Sequence, residues 1–169
     1  TDIQKKEIYP IFKSLLNGNE FYLLDFGCGP GRFTVDLAEM INGRALGVDI
    51  IQQLLELAPK SEIVDYKLFT KGKIPLNDNT VDIVWICLVL GGIKEKMLEK
   101  VIKEINRVSK SRSLIFLVEN TTLKPNGKHW FFRSFQDYKK LLPYFDLKYL
   151  HEYYDLGERI SIMGGRKIV

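Results

Sequence analysis

The 169 residues predict an α/β fold with a mostly parallel sheet. Two patterns carry that reading. Apolar runs of strand length alternate with amphipathic stretches of helix length, which implies βαβ units and a sheet covered on both faces. The last two apolar runs have no helix between them, so they pair only as an antiparallel hairpin. The expected sheet has seven strands, six parallel and one antiparallel near the edge, within one domain spanning residues 1–169.

Phe21 to Phe26 is a short apolar run that stops at Gly27 and reads as the first strand. Phe33, Leu37 and Ile41 recur every four residues and place a helix over 32–41, with Gly43 just past its end. Ala45 to Asp49 is the second strand, and a short helix over 51–57 is stopped by Pro59. Glu62 to Phe69 is the third strand. A polar loop over 70–80 leads into Val81 to Leu88, a continuous apolar run that reads as a buried strand. Met97, Leu98, Val101, Ile102, Ile105 and Val108 form one apolar stripe over 94–108, with the lysines on the opposite side. Ser113 to Glu119 is the fifth strand, followed by a loop over 120–129 rich in Asn, Thr, Pro and Gly. Phe135, Tyr138, Leu141, Leu142 and Phe145 point to a helix ending near Pro143. Asp146 to Tyr154 and Arg159 to Val169 are the hairpin strands, joined by Asp155-Leu156-Gly157-Glu158.

A composition of 46% hydrophobic and 27% charged residues excludes disordered and low-complexity classes. No apolar run approaches the ~20 residues of a membrane span; the longest, Val81 to Ile93, contains Asp82 and ends in Gly91-Gly92 and Ile93. Asp2, Lys5, Lys6 and Glu7 do not form a signal-peptide pattern, and the absence of an initiator Met points to processing, trimming or excision from a longer chain. Cys28 and Cys87 have no CxxC partner, which predicts reduced thiols and a cytoplasmic location. Two His and two Cys give no zinc-ligand spacing. A net charge of +4 is mildly basic and does not demand nucleic acid.

The most informative segment is Leu23-Leu24-Asp25-Phe26-Gly27-Cys28-Gly29-Pro30-Gly31-Arg32-Phe33, in which a strand feeds a glycine-rich turn that opens a helix. Glycines let a ligand approach the main chain, and a helix N-terminus offers unpaired N–H groups. The spacing is GxGxG. A dinucleotide fingerprint is GxGxxG, and its third glycine would fall at Arg32, which argues against NAD and FAD. Asp49 ends the second strand, where a carboxylate can accept hydrogen bonds from both ribose hydroxyls of an adenosine.

LLDFGCGPGRF followed by GVDI resembles the class I S-adenosylmethionine-dependent methyltransferases. IPLNDNTVDIVW at 74–85 is similar to that family's run into strand four, and the terminal hairpin matches its fold. The resemblance covers nearly the whole chain. It implies a three-layer Rossmann-like methyltransferase fold, S-adenosyl-L-methionine as cofactor and S-adenosyl-L-homocysteine as product. It further implies that Gly27, Cys28, Gly29 and Gly31 line the methionine part, and that Asp25 supports the turn or meets the amino group. Asp49, with Ile50 beside it, would hold the ribose; Phe69, Thr70 and Lys71 would flank the adenine; Cys87 and Leu88 would lie under the sulfonium. Lys71, Gly72 and Lys73 stand where many relatives carry an acid, so the expected adenine contacts are from backbone.

Ligands of open α/β sheets bind outside the carboxyl ends of the parallel strands. Many small-molecule methyltransferases have His where Gly91 and Gly92 stand, so a base from that loop is missing. His129, in the loop after strand five, is the first candidate base, because imidazole titrates nearest neutrality. Its other reading is a loop histidine capping the next helix. Glu119 is the second candidate, or orients His129; its other reading is a strand-end acid bonding backbone amides. Arg133, Tyr154, Glu158 and Arg159 are candidate substrate-binding residues, with an ion-pair brace of the hairpin as the alternative for Glu158 and Arg159. The segments Val118 to Asn120, His129 to Ser134 and Asp155 to Ser161 are similar to small methyltransferases associated with bacterial glycan biosynthesis. That likeness implies O-methylation of a sugar hydroxyl or of a phosphate on a glycan or small metabolite.

Two rival functions are weighed. Nucleic-acid (RNA) methylation is disfavoured: strand four is not followed by (Asp/Asn)-Pro-Pro-(Tyr/Phe), and Cys87 ends an apolar strand rather than an activating site. The lysines at 94, 96, 100 and 103 interleave with Glu95, Glu99 and Glu104 as a solvated helix face. The second rival is a non-catalytic cofactor-binding part of a larger protein. Only Asp2 to Leu16 is available as a lid, which suits an open pocket and a large acceptor.

Overall fold

The structure is a computed structural model that describes residues 2–169; of the expected 1–169 span, Thr1 lies outside them. In chain order the elements are α1 (Asp2–Leu15), β1 (Tyr22–Phe26), α2 (Thr34–Met40), β2 (Arg44–Asp49), α3 (Gln52–Glu56), β3 (Val64–Leu68), β4 (Val81–Cys87), α4 (Glu95–Val108), β5 (Ser109–Asn120), α5 (Phe135–Leu141), β6 (Lys148–Asp155) and β7 (Glu158–Arg166). The seven strands form one sheet in the order β3-β2-β1-β4-β5-β7-β6. β1 pairs in parallel with β2 and β4, β2 with β3, and β4 with β5. β7 is antiparallel to both β5 and β6, so it is the single reversed strand, one place in from the edge.

Strand geometry sends successive side chains to opposite faces. Leu23 joins a cluster with Ile8 and Phe12 of α1 and Leu37 and Ala38 of α2. Leu24 joins the other cluster, with Leu98, Val101, Ile102 and Ile105 of α4 and Tyr138 of α5. Both sheet faces are therefore covered, and among the described residues no helix is long and apolar enough to cross a membrane.

The segment Asp2 to Leu16, expected as the available lid, packs on the sheet through α1. Ile8 and Phe12, four apart on α1, are fully buried, and the Phe12 ring meets Trp85 and Phe116 edge-on at 5.2 Å each. Trp85 and Phe116 stack at 4.9 Å beneath them. Such aromatic contacts add about 0.5–1.5 kcal/mol each to area burial.

Some boundaries move for local reasons. The helix expected over 32–41 begins at Thr34, because the chain through Phe33 is spent on the turn. β5 starts at Ser109 rather than Ser113. Its first residues alternate no apolar face, and a register shift between Val81 and Ile83 with Arg112 at φ 61 absorbs the irregularity. The hairpin turns on Leu156 and Gly157, both with positive φ (48 and 78), the geometry of a tight two-residue connection.

Candidate functional site

The carboxyl ends of β1, β2 and β4 meet at the glycine-rich turn. The N–H groups of Gly27 and Cys28 both donate to the Val48 carbonyl, at 2.8 and 3.0 Å, so the turn is tied to the end of β2. The glycines serve different ends. Gly27 (φ 73) has no room for a side chain: its Cβ would lie 2.5 Å from Val89 Cγ2. A Cβ on Gly31 (φ 73) would stand 2.8 Å from the Tyr66 hydroxyl, so this glycine lets β3 pack on the turn rather than lining a ligand space. At Gly29 (φ 53) nothing lies within 4 Å of that position, and the turn there is open.

Asp49 braces the open part. Its Oδ2 accepts from the Gly29 N–H at 2.9 Å and its Oδ1 from the Ile51 N–H at 3.0 Å. Each oxygen keeps a second lone pair for a ligand. Asp25 is 3% exposed and accepts from the Thr34 hydroxyl at 2.6 Å, which places it under the turn as a support. Burial pushes its carboxyl up to about 7, against the Thr34 hydrogen bond and the Arg32 charge that favour the anion. Burial also raises the Cys28 and Cys87 thiols. Neither is a reactive thiolate.

Between the turn and α4 lies a cavity of about 490 Å³. Asp49, Lys94 and the Gly27 backbone are its polar lining; Phe26 and Phe69 (edge to face at 5.3 Å), with Ile50, Leu88, Val89, Ile93, Met97 and Trp130, are its apolar lining. Leu88 sits in the left-handed region at φ 57, a costly geometry for a bulky residue, and is fixed by donating to the Val118 carbonyl at 2.8 Å.

Glu119 proves to be a strand-end acid bonding amides. It is completely buried, and it accepts from the N–H groups of Val89 (2.8 Å), Leu90 (2.7 Å) and Gly91 (3.4 Å). Burial pushes its carboxyl up to about 7 although these three amides favour the charged form. Both oxygens are engaged with the β4–α4 loop, so the base role considered for it does not fit its surroundings, and among the described residues no hydrogen bond joins it to His129.

The missing side chains at Gly91 and Gly92 have a structural counterpart. The Trp130 indole fills the space: a Cβ on Gly91 would fall 2.4 Å from its ring. The Phe131 N–H donates to the Gly91 carbonyl at 2.7 Å. Arg133 donates to the carbonyls of Leu90 (3.0 Å) and Ile93 (3.4 Å). Arg133 thus latches the loop before α5 onto the loop after β4, rather than presenting its charge to an anionic substrate. Gly91→Ala is expected to displace the indole and to weaken ligand binding in the cavity about tenfold, the loss of one apolar wall. Acrylamide quenching reads the indole, because Trp85 is fully buried; quenching equal to wild type would show that the loop absorbs the methyl group.

The other sequence-selected residues divide. Phe69 lines the cavity, whereas Thr70 and Lys71 do not. The turn at Lys71 (φ 56) and Gly72 (φ 69) swings them into a separate groove with Lys73 and Arg107. Cys87 ends β4 in the cluster on the α1 side, 8% exposed. His129 is exposed, immediately before the indole, and it does not cap α5: Ser134 and Asp137 do so reciprocally. Tyr154 is 65% exposed at the end of β6. Glu158 pairs with Lys124, and Arg159 donates to the Thr121 hydroxyl (3.1 Å) and carbonyl (2.9 Å), so both brace the hairpin without pairing with each other. The sequence reading missed Val89, Ile93 and Met97 as wall residues. Met97 carried a signal, since it belongs to the apolar stripe of α4 yet is left exposed.

A family model described as a methyltransferase domain matches residues 24–117. The chain is 35% identical over 101 residues to a methyltransferase of Schizosaccharomyces pombe, a match covering 52% of this chain and 36% of that protein. It is 31% identical over 80 residues to a methyltransferase of Dictyostelium discoideum, covering 47% and 30%. The match thus spans about a third of each of these curated relatives. A solved SAM-dependent methyltransferase from Methanosarcina mazei superposes with a TM-score of 0.78 over 96% of this chain and 99% of that one, at 18% identity, a likeness of fold.

Proposed function

The chain belongs to the methyltransferase domain family, and on that premise we propose that it transfers the methyl group of S-adenosylmethionine to an oxygen of a small hydroxyl- or phosphate-bearing acceptor, a sugar or glycan group. The observation that carries the cofactor assignment is the Asp49 carboxylate, held by the Gly29 and Ile51 amides with lone pairs to spare at the mouth of an apolar cavity. The residues fit the group. A nucleoside needs a paired acceptor for its ribose hydroxyls, an apolar slot for its base and a side-chain-free approach to the main chain. Asp49, the Phe26–Phe69 pair and Gly29 supply these.

When bound, the sulfonium supplies a methyl group already activated for in-line displacement. Positioning is then the main task of the protein. Leu88 and Val89, fixed through Val118 and Glu119, set the wall at the end of β4. Trp130 closes the side toward the loop after β5 and limits the space left for an acceptor. With Glu119 engaged, we assign removal of the acceptor proton to His129, the exposed residue that precedes Trp130 in the chain.

Titration calorimetry with S-adenosylhomocysteine tests the cofactor assignment; micromolar binding is expected, and no binding by a folded sample would overturn it. Transfer of a labelled methyl group to nucleotide sugars or glycan fragments tests the acceptor class. His129→Ala is expected to slow turnover by at least about tenfold with cofactor affinity kept. Wild-type turnover in that variant would remove the base.

A further inference from the structure

A second groove, of about 810 Å³, lies apart from the cavity already described. The end of β3, the loop over 70–80 and Arg107 of α4 line it, and none of the lining side chains is aromatic. Lys67, Lys71 and Lys73 stand in that lining, all exposed. Arg107 is spent: it pairs with Asp78 and Glu104 and donates to the carbonyls of Leu76 and Ile74. The three lysines are not. None of them takes part in an ion pair among the described residues.

α4 extends the charge. Lys96, Lys100, Lys103 and Arg107 are spaced four, three and four apart, which places them on one strip of the helix. In the chain the lysines alternate with Glu95, Glu99 and Glu104, but on the helix they part. Met97, Lys100 and Glu104 mark the flank of α4 that meets the turn over Lys71 and Gly72. A Cβ on Gly72 would stand 3.6 Å from Lys100 Cδ and 3.9 Å from Met97 Sδ, and Glu104 accepts from the Ile74 N–H at 2.8 Å. Glu95 and Glu99, at ~100° per residue, fall on the opposite flank. Glu104, the carboxylate on the turn side, is already held by Arg107 and by that amide. Lys96, Lys100 and Lys103 are exposed, and among the described residues they too enter no ion pair.

Clustered ammonium groups repel one another and favour a polyanion, whose counterions they release on binding. The strip from Lys96 to Lys103 is ~10 Å long. That exceeds a single phosphate and fits a chain. Lysines supply point charges without a fork to read a base edge, and no lining ring offers a stacking platform, so RNA is disfavoured. The groove is concave, which a flat bilayer does not match. Thr70 and Asn77 in the lining add a hydroxyl and an amide for the neutral units between phosphates. The band also leads to the cavity: Lys94 and Met97 line it, within one helical turn of Lys96 and Lys100. We infer that the groove and the α4 strip are a docking site for a phosphodiester-linked chain of sugar or polyol units, held past the mouth of the cavity. The inference narrows the acceptor class proposed above and rests on that reading for its link to methyl transfer.

Fluorophore-labelled poly(glycerol phosphate) is the probe, with binding to the whole protein read by anisotropy. Wild type is expected to bind it, with affinity falling at least about tenfold between about 50 and 200 mM salt. Lys100→Glu combined with Lys103→Glu is expected to weaken probe binding at least about tenfold and to leave the affinity for S-adenosylhomocysteine unchanged. Lys6→Glu combined with Lys13→Glu makes the same change of net charge on α1, which packs on the other face of the sheet, and is expected to have little effect. Equal weakening by the two double variants would show a net-charge effect and overturn the inference, as would a folded protein that fails to bind the probe at low salt. Tighter binding of poly(U), or of vesicles containing phosphatidylglycerol, would give the groove to RNA or to a membrane and overturn the sugar-phosphate assignment. The two readings fail separately. A protein that binds S-adenosylhomocysteine but not the probe loses the groove alone. One that binds the probe through Lys100 and Lys103 but not S-adenosylhomocysteine loses the cofactor reading alone.

Discussion

Asp49→Ala is expected to weaken S-adenosylhomocysteine binding at least about a hundredfold, because hydrogen bonds to a charged group contribute about 1.5–3 kcal/mol each and two ribose hydroxyls are involved. The loss has a second component. The same carboxylate accepts from the amides of Gly29 and Ile51, so its removal also frees the turn over which the ligand passes. Asp49 is half-buried and its amides lie near solvent, so stability is expected to change by about 1 kcal/mol or less. Asp49→Asn should fall between: its oxygen replaces one acceptor, but its NH₂ then opposes the other amide. Calorimetry at matched folded fraction separates the effects. An Asp49→Ala protein with wild-type affinity would end the ribose assignment and leave the cavity without a polar anchor.

The parts of this site that were legible in sequence are local ones. Gly27, Gly29 and Asp49 occupy fixed offsets from strand ends, and strand ends are set by apolar runs that the residues themselves display. Asp25 as turn support follows from the same locality. Contacts between distant segments were not legible. Nothing near Gly91 signals that Trp130 fills its missing side chain, and nothing near Glu119 distinguishes a free acid from one accepting three amides of another loop. Adjacency also misled. Thr70 and Lys71 follow Phe69 in the chain, but the left-handed turn at Lys71 and Gly72 carries them out of the cavity. The residue pattern starts β5 at Ser113 because Lys110, Ser111 and Arg112 show no apolar alternation, although their backbone continues the strand.

Glu119→Ala is the substitution expected to cost most. It leaves the amides of Val89, Leu90 and Gly91 without their acceptor in a loop where Leu90 and Gly91 are buried. At about 1–3 kcal/mol for each of the three unsatisfied groups, the loss is roughly 3–9 kcal/mol of a total near 5–15, and Tm should fall by about 10 °C or more. Glu119→Gln keeps an acceptor for Val89 and Leu90, which share Oε1, and should be far milder. The pair also reads the charge. Burial raises the folded-state pKa of both Glu119 and Asp25 to about 7, from ordinary values of 4.5 and 3.8. Between those limits the native protein holds protons that the unfolded chain has released. The stability from these two groups is therefore fully present below their unfolded values, declines as pH rises through about 7, and is flat above. The urea midpoint should be higher at pH 5 than at pH 8, and Glu119→Gln and Asp25→Asn should each flatten the profile. An unchanged slope in both variants would show that neither carboxylate carries it. If Glu119→Ala instead kept its Tm and its cofactor affinity, Arg133 and Trp130 would suffice to hold the loop. The buried acid would then be available again for the acceptor proton, and the assignment of that proton to His129 would have to be reopened.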